Sequence, residues 1–172
     1  MANLLTINES DFDDKADDSK RSSYTERSAA RGVLLDQSGK VYLLNVSKHS
    51  YHKLPGGGID PGEKIIEAFK RELLEEVGCN GEVIQELGKV IEYRHFFSQK
   101  QTSYCFLAQQ VGEQMESSLE EGEIAEGMYE VKAANIDDAI RILEQDNPDN
   151  MEGKYIQMRD ITILKAARKY IN

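Results

Sequence analysis

The stretch LPGGGIDPGEKIIEAFKRELLEEVGC, Leu54 to Cys79, holds three consecutive glycines, then a proline at Pro61, and a run at helical spacing with six acidic residues once Asp60 is counted. Pro61 ahead of the run and Gly78 behind it predict a helix over Lys64 to Val77. On a wheel of about 100° per residue, Ile65, Ile66, Phe69, Leu73 and Val77 fall within an arc of roughly 120° suited to burial. Glu72, Glu75 and Glu76 occupy the neighbouring arc and reach the core edge through Glu76. Carboxylates three and four positions apart converge and repel, and burial beside a core raises the cost unless something positive sits among them. A hard divalent cation answers that need, because magnesium takes oxygen ligands, keeps several waters and is held by a few carboxylates together with substrate phosphates. Glu63 adds a carboxylate from the loop side, and Arg71 can orient a glutamate or contact phosphate through its fork of donors. Gly56, Gly57 and Gly58 let the loop fold closely over the helix. A solvated acidic helix after an ordinary glycine turn accounts for each residue singly and accounts poorly for the set.

The remaining composition bounds the partners. At 172 residues the chain suits one domain with a real core. A formal charge of -10, with no lysine or arginine cluster to offset it, disfavours binding to a nucleic acid polymer or an anionic membrane. An anionic substrate therefore needs a local cation. No apolar run approaches the roughly 18 residues of a membrane span, and the first residues lack the basic start and long apolar centre of a signal peptide, so the expected location is cytoplasmic. Cys79 and Cys105 form neither a C-x-x-C pair nor a disulfide framework and read as small core residues.

Working outward, residues 1–24 are polar and acidic and read as a mobile or loosely docked arm, leaving 25–172 as one domain. The run SAARGVLLDQSGKVYLLNVS predicts strands over about 28–35 and 40–47 around a turn. HSYHKLPGGG reads as loop. EVIQELGKVIEYRHFF and TSYCFLAQQV read as an antiparallel pair, ESSLEEGEIAEG as an acidic connection and MYEVK as a short strand. NIDDAIRILEQ reads as a helix capped by Asn135, and about 157–171 as a terminal amphipathic helix after a break at DNPDNMEGK. The implied class is α/β, a mixed sheet packed between helices.

Gly57, five residues, Glu63, seven residues, then Arg71-Glu72-Leu73-Leu74-Glu75-Glu76-Val77-Gly78-Cys79 resembles the signature of the Nudix hydrolases, the MutT-like family. All seven fixed positions match, and Leu73 and Cys79 fill the two apolar ones. The resemblance implies the family's α/β/α sandwich and hydrolysis of a diphosphate linkage in a nucleoside diphosphate joined to another group. It implies Mg2+ or Mn2+ held by Glu72, Glu75 and Glu76, with the backbone carbonyl of Gly57 as a further ligand. Glu72 would be one choice of base, Glu63 would support the metal site, and Arg71 would hold a glutamate in place. Some relatives draw the base from a later loop, which here offers Glu123 or Glu126, although a solvated acidic loop explains that segment as well.

The substrate itself is not written in the resemblance. His52 stands where an aromatic residue is common in the family. Lys48, His49, His52 and Lys53 precede the glycines and could touch phosphate alongside Gly56, Gly57 and Gly58. Tyr51, Tyr93, Phe96 and Tyr104 could stack on a base or serve only packing. A nucleotide-binding regulator of the same fold with little catalysis is the alternative function, against which the intact glutamates weigh. The oligomeric state is left open, a homodimer included.

Overall fold

The computed structural model describes residues 1–16 and 18–171. Its elements run β1 (Asn3–Ile7), β2 (Thr25–Leu35), β3 (Val41–Val46), β4 (Tyr51–Lys53), β5 (Gly56–Gly58), α1 (Ile65–Val77), β6 (Asn80–Arg94), β7 (Gln99–Val111), α2 (Glu121–Ala125), β8 (Met128–Ala133), α3 (Ile136–Gln145) and α4 (Met151–Ala167). The strands form one sheet in the order β1-β6-β7-β2-β3-β4, with β5 paired to β2 and β8 to β3. It is mixed: β1 runs parallel to β6 and β2 parallel to β7, while β6 and β7 are antiparallel, as expected.

Strand alternation divides the interior into two cores. Ala30 and Leu34 of β2, Tyr42 and Leu44 of β3, and Phe106 and Ala108 of β7 pack with Phe69, Leu73 and Val77 of α1. Their neighbours Val33, Leu35, Val41, Leu43, Cys105 and Leu107 pack with Ile140 and Leu143 of α3 and Ile163 and Leu164 of α4. The result is the α/β/α sandwich. Both cysteines are buried free thiols, Cys79 on the α1 side and Cys105 on the other. No described helix is long and apolar enough to cross a membrane.

Four expectations change. Residues 3–7 are not a loosely docked arm: Ile7 is fully buried in the α4-side core, and Asn3 to Ile7 pair along β6. The acidic count there hid the short apolar run Leu4-Leu5-Thr6-Ile7. Beyond it Phe12 lies 4.9 Å from Tyr155, ring centre to ring centre, and the Arg21 guanidinium sits 4.7 Å over the Tyr93 ring. Second, the terminal helix starts at Met151, because Asn150 caps it by accepting the Gly153 N–H at 2.7 Å. Third, Tyr51–Lys53 and Gly56–Gly58 are short strands. Fourth, Ile66 is exposed, and the buried face of α1 turns instead through Ala68, Glu72 and Glu76.

Deleting residues 1–8 is accordingly expected to lower stability by about 2–3 kcal/mol, from lost burial of Ile7 and its neighbours, and to bare the edge of β6. Differential scanning calorimetry on full-length and shortened chains measures it. An unchanged Tm would return the segment to the status of an arm.

Candidate active site

α1 ends in the left-handed turn at Gly78 (φ 64°) and presents Arg71, Glu72, Glu75 and Glu76 toward the glycine loop of β5. Arg71 is the hub. Its Nε and Nη2 donate to the two oxygens of Glu63 at 2.9 and 3.0 Å, its Nη1 donates to Glu72 at 2.9 Å and Glu75 at 3.0 Å, and its Nη2 also reaches the Gly58 carbonyl at 2.9 Å. The two-oxygen grip on Glu63 fixes the plane of the guanidinium, and that plane aims the remaining donors at the helix glutamates. The Arg71 hydrogen bonds hold the Glu63 carboxyl below its ordinary range and, with Glu63 the strongest partner, hold Arg71 firmly charged.

Glu76 is 2% exposed and fully engaged: Lys53 Nζ donates to one oxygen at 2.8 Å and the Gly56 N–H to the other at 2.6 Å. Glu72 is also buried, and burial together with the charge of Glu76 raises its carboxyl despite Arg71. Glycine is required beside it. A Cβ on Gly57 would stand 2.5 Å from the Glu72 carboxylate, and Gly56 adopts φ 137°, a backbone that side chains rarely take. Glu123, from the short α2, lies 3.9 Å from Lys53, and burial with the nearby charge of Glu76 pushes it up to about 7. The alternative base, Glu126, does not line the cleft.

These groups form one wall of a cleft of about 490 Å3. The same cleft has a second, arginine wall, which the motif does not reach: Arg27 and Arg31 of β2, beside the glycine loop, Arg94 of β6, and Arg159 of α4, with Ile156 of α4 among them. The available sequence signal was Arg31 interrupting the apolar run of β2. Lys53 is in the cleft and His52 is not: its Nδ1 pairs with Asp146 at 2.8 Å and its Nε2 with Asn45 at 2.8 Å, so it pins β4 to the end of α3. Tyr51, Tyr93, Phe96 and Tyr104 are also absent from the cleft lining.

Among the described residues, no three His, Cys, Asp or Glu side chains converge as a preformed metal site. Glu72, Glu75 and Glu76 are turned instead to Arg71, Lys53 and the Gly56 N–H. The donor set still fits a hard divalent cation, since Glu72, Glu75 and Glu76 offer only carboxylate oxygens, and Glu72 is raised by burial and by the like charge of Glu76, which a cation would offset.

A family model described as NUDIX domain matches residues 25–149. A protein of Wolbachia sp. subsp. Brugia malayi named RNA pyrophosphohydrolase is 47% identical over 49 residues, covering 28% of this chain and 30% of that protein, so the likeness spans less than a third of the relative. Among solved structures, the MutT protein from Methanosarcina mazei superposes with a TM-score of 0.59 at 17% identity, covering 87% of this chain and 98% of that one. An ADP-ribose pyrophosphatase from Streptococcus suis gives 0.54 at 19% identity, covering 84% and 93%. At such identities the structural likeness speaks for the fold, and the family rests on the motif and the matched model. The chain belongs to the NUDIX domain family.

Proposed function

We propose that this protein hydrolyses a diphosphate linkage in a nucleotide-type small molecule, using a divalent cation, Mg2+ or Mn2+, held by Glu72, Glu75 and Glu76. The observation that carries the reading is the carboxylate wall itself: buried Glu72 and Glu76 with Glu75 and Glu123, oriented by Arg71 and Lys53 against a loop whose Gly56 and Gly57 leave no free space for a Cβ. When bound, the cation would neutralise the diphosphate and lower the pKa of a water ligand.

The chain's own residues supply geometry and proton handling. Glu63 fixes Arg71, and Arg71 keeps Glu72 and Glu75 turned toward one another despite their like charge. Lys53 and the Gly56 N–H do the same for Glu76. Lys53, so placed, also offers a positive charge to phosphate. Glu123, with its carboxyl near 7, is matched to taking a proton from an attacking water near neutral pH, a better match than Glu72, which is tied to Arg71.

The test is a panel of ADP-ribose, dinucleoside polyphosphates, nucleotide sugars, nucleoside triphosphates and a 5′-triphosphorylated RNA, run with Mg2+, with Mn2+ and with EDTA. Hydrolysis of at least one small diphosphate is expected with metal, falling by at least about a hundredfold in EDTA. Tight nucleotide binding with no product over long incubation would favour the regulator instead. Turnover of the RNA alone would overturn the expectation that no nucleic acid polymer is a substrate.

A further inference from the structure

The carboxylate wall needs a cation and a diphosphate, but it does not explain the arginines of the cleft. There Arg27, Arg31, Arg94 and Arg159 face the same space in a chain whose formal charge is -10. Three of them are almost wholly buried: Arg31 is 4% exposed, Arg94 5% and Arg159 1%. Two fully buried carboxylates stand among them, Asp160 bonded to Arg159, and Glu92 bonded to Arg94 and 3.5 Å from Arg159. Glu152 adds a half-exposed contact to Arg94 at 3.6 Å.

Arg27 and Arg31 are left over. Among the described residues neither forms an ion pair. Arg31 donates to the Ser103 hydroxyl at 3.2 Å and the Gly56 carbonyl at 3.3 Å, and Arg27 donates to the Gln101 amide, all neutral acceptors. Burial, reinforced by the charge of Arg159, pulls Arg31 down to about 10, which leaves it charged at neutral pH. Asp160 and Glu92 act on Arg31 only from beyond ion-pair contact and are already bonded to Arg159 and Arg94. A buried guanidinium with no carboxylate in contact is costly, and an anion in the cleft lowers that cost. The cleft offers little else to bind: among the described residues Ile156 is its one large apolar side chain, and no aromatic ring lines it. The exposed Phe97 lies outside, in the adjoining groove with Arg27 and Arg94.

We infer that Arg27 and Arg31, backed by Arg94, form a second anion subsite, so that the preferred substrate is a compact polyanion carrying a further phosphate beyond the scissile diphosphate, with any base lying outside the cleft. This rests on the diphosphate reading above and narrows it. The scissile group lies against the carboxylates and the additional phosphate against Arg27 and Arg31, beside the glycine loop. Specificity comes from Arg27 and Arg31 and not from stacking.

The experiment has two arms. In EDTA, calorimetric titration of inorganic tripolyphosphate into wild type, Arg27→Gln and Arg31→Met reads the subsite without catalysis. Binding is expected to weaken by about tenfold or more in each variant. With metal, 5-phosphoribosyl 1-diphosphate, a diphosphate with a distal phosphate and no base, is compared with ADP-ribose. Wild type is expected to prefer the former, and Arg27→Gln to raise KM for it by about tenfold, several times more than for ADP-ribose. Arg27 is only half-buried, so Arg27→Gln carries the test if Arg31→Met does not fold. No tripolyphosphate binding by wild type, or equal binding by wild type and Arg27→Gln, overturns the inference. Anion binding without hydrolysis of any panel member instead overturns the catalytic reading and leaves the subsite standing.

Discussion

Replacing Glu76 with glutamine is expected to lower kcat/KM on the best diphosphate substrate by about a thousandfold, the largest loss of any single exchange in the carboxylate wall. Three observations single it out. It is the most buried of the helix glutamates, both its oxygens accept hydrogen bonds, and its charge adds to burial in raising both Glu72 and Glu123. The amide has nearly the same shape but brings an NH2 toward either Lys53 or the Gly56 N–H, donors both, and it removes a charge that a cation would need. Stability should move much less. Losing the Lys53 pair destabilises, while removing repulsion against Glu72 stabilises, and the two nearly offset, so Tm should shift by less than about 5 °C. Glu75→Gln is the graded comparison: Glu75 is 41% exposed and its one bond is to Arg71, so a loss nearer tenfold is expected. Steady-state kinetics with calorimetry on the three proteins settles it. Turnover by Glu76→Gln within about threefold of wild type would remove Glu76 from the site.

What could be read from the chain alone follows from where the relevant physics is local. The helix of Ile65–Val77, its stop at Gly78, the antiparallel pairing of β6 with β7 and the caps at Asn135 all rest on neighbours within a few residues, and the structure contains them. The carboxylate wall was legible for the same reason, since one helix turn sets Glu72 beside Glu75 and Glu76. The arginine wall was not. Along β2 the face bearing Val33 and Leu35 changes to Arg31 and Arg27 toward the strand's start, and along β7 the same face changes from Leu107 and Cys105 to Ser103 and Gln101. Each strand alone looks like an apolar run with a polar end. Only pairing of β2 with β7, and Arg159 reaching in from α4, gathers those polar ends into a surface. His52 failed in the opposite direction: its nearness to the glycines in sequence suggested phosphate, while Asp146, 94 residues away, takes its ring.

Glu92→Gln is expected to cost about 3–5 kcal/mol at pH 7, since it leaves buried arginines without their partner. One Glu92 oxygen accepts from Arg94 at 3.0 Å, and the other from Gln101 at 2.7 Å and Ser103 at 3.3 Å, with Arg159 at 3.5 Å, so every lone pair is used and the side chain is fully buried. Burial alone would raise this carboxyl, but Arg159, Arg94 and Arg31 overcome it and hold Glu92 at about 2. A folded value below the unfolded one means that the contribution is fully present above about pH 4.5 and is lost as pH falls from there toward 2, a loss of roughly 3 kcal/mol for the wild type. The variant has no such carboxyl to titrate. Urea midpoints should therefore lie far apart at pH 7 and draw together by pH 3, and a gap that is absent at pH 7 or constant with pH would contradict the assignment. A second exchange separates charge from packing. Glu92→Gln with Arg94→Gln removes the stranded cation as well, so the double variant should recover part of the lost stability, as coupled neighbours do. Recovery would also say what Glu92 is for. A buried network of this kind is seldom the most stable way to fill a core, and an apolar set could replace it. Its place beneath the cleft makes sense if Glu92 holds Arg94 and Arg159 in place while Arg27 and Arg31, which it does not contact, keep their donors available to an incoming anion.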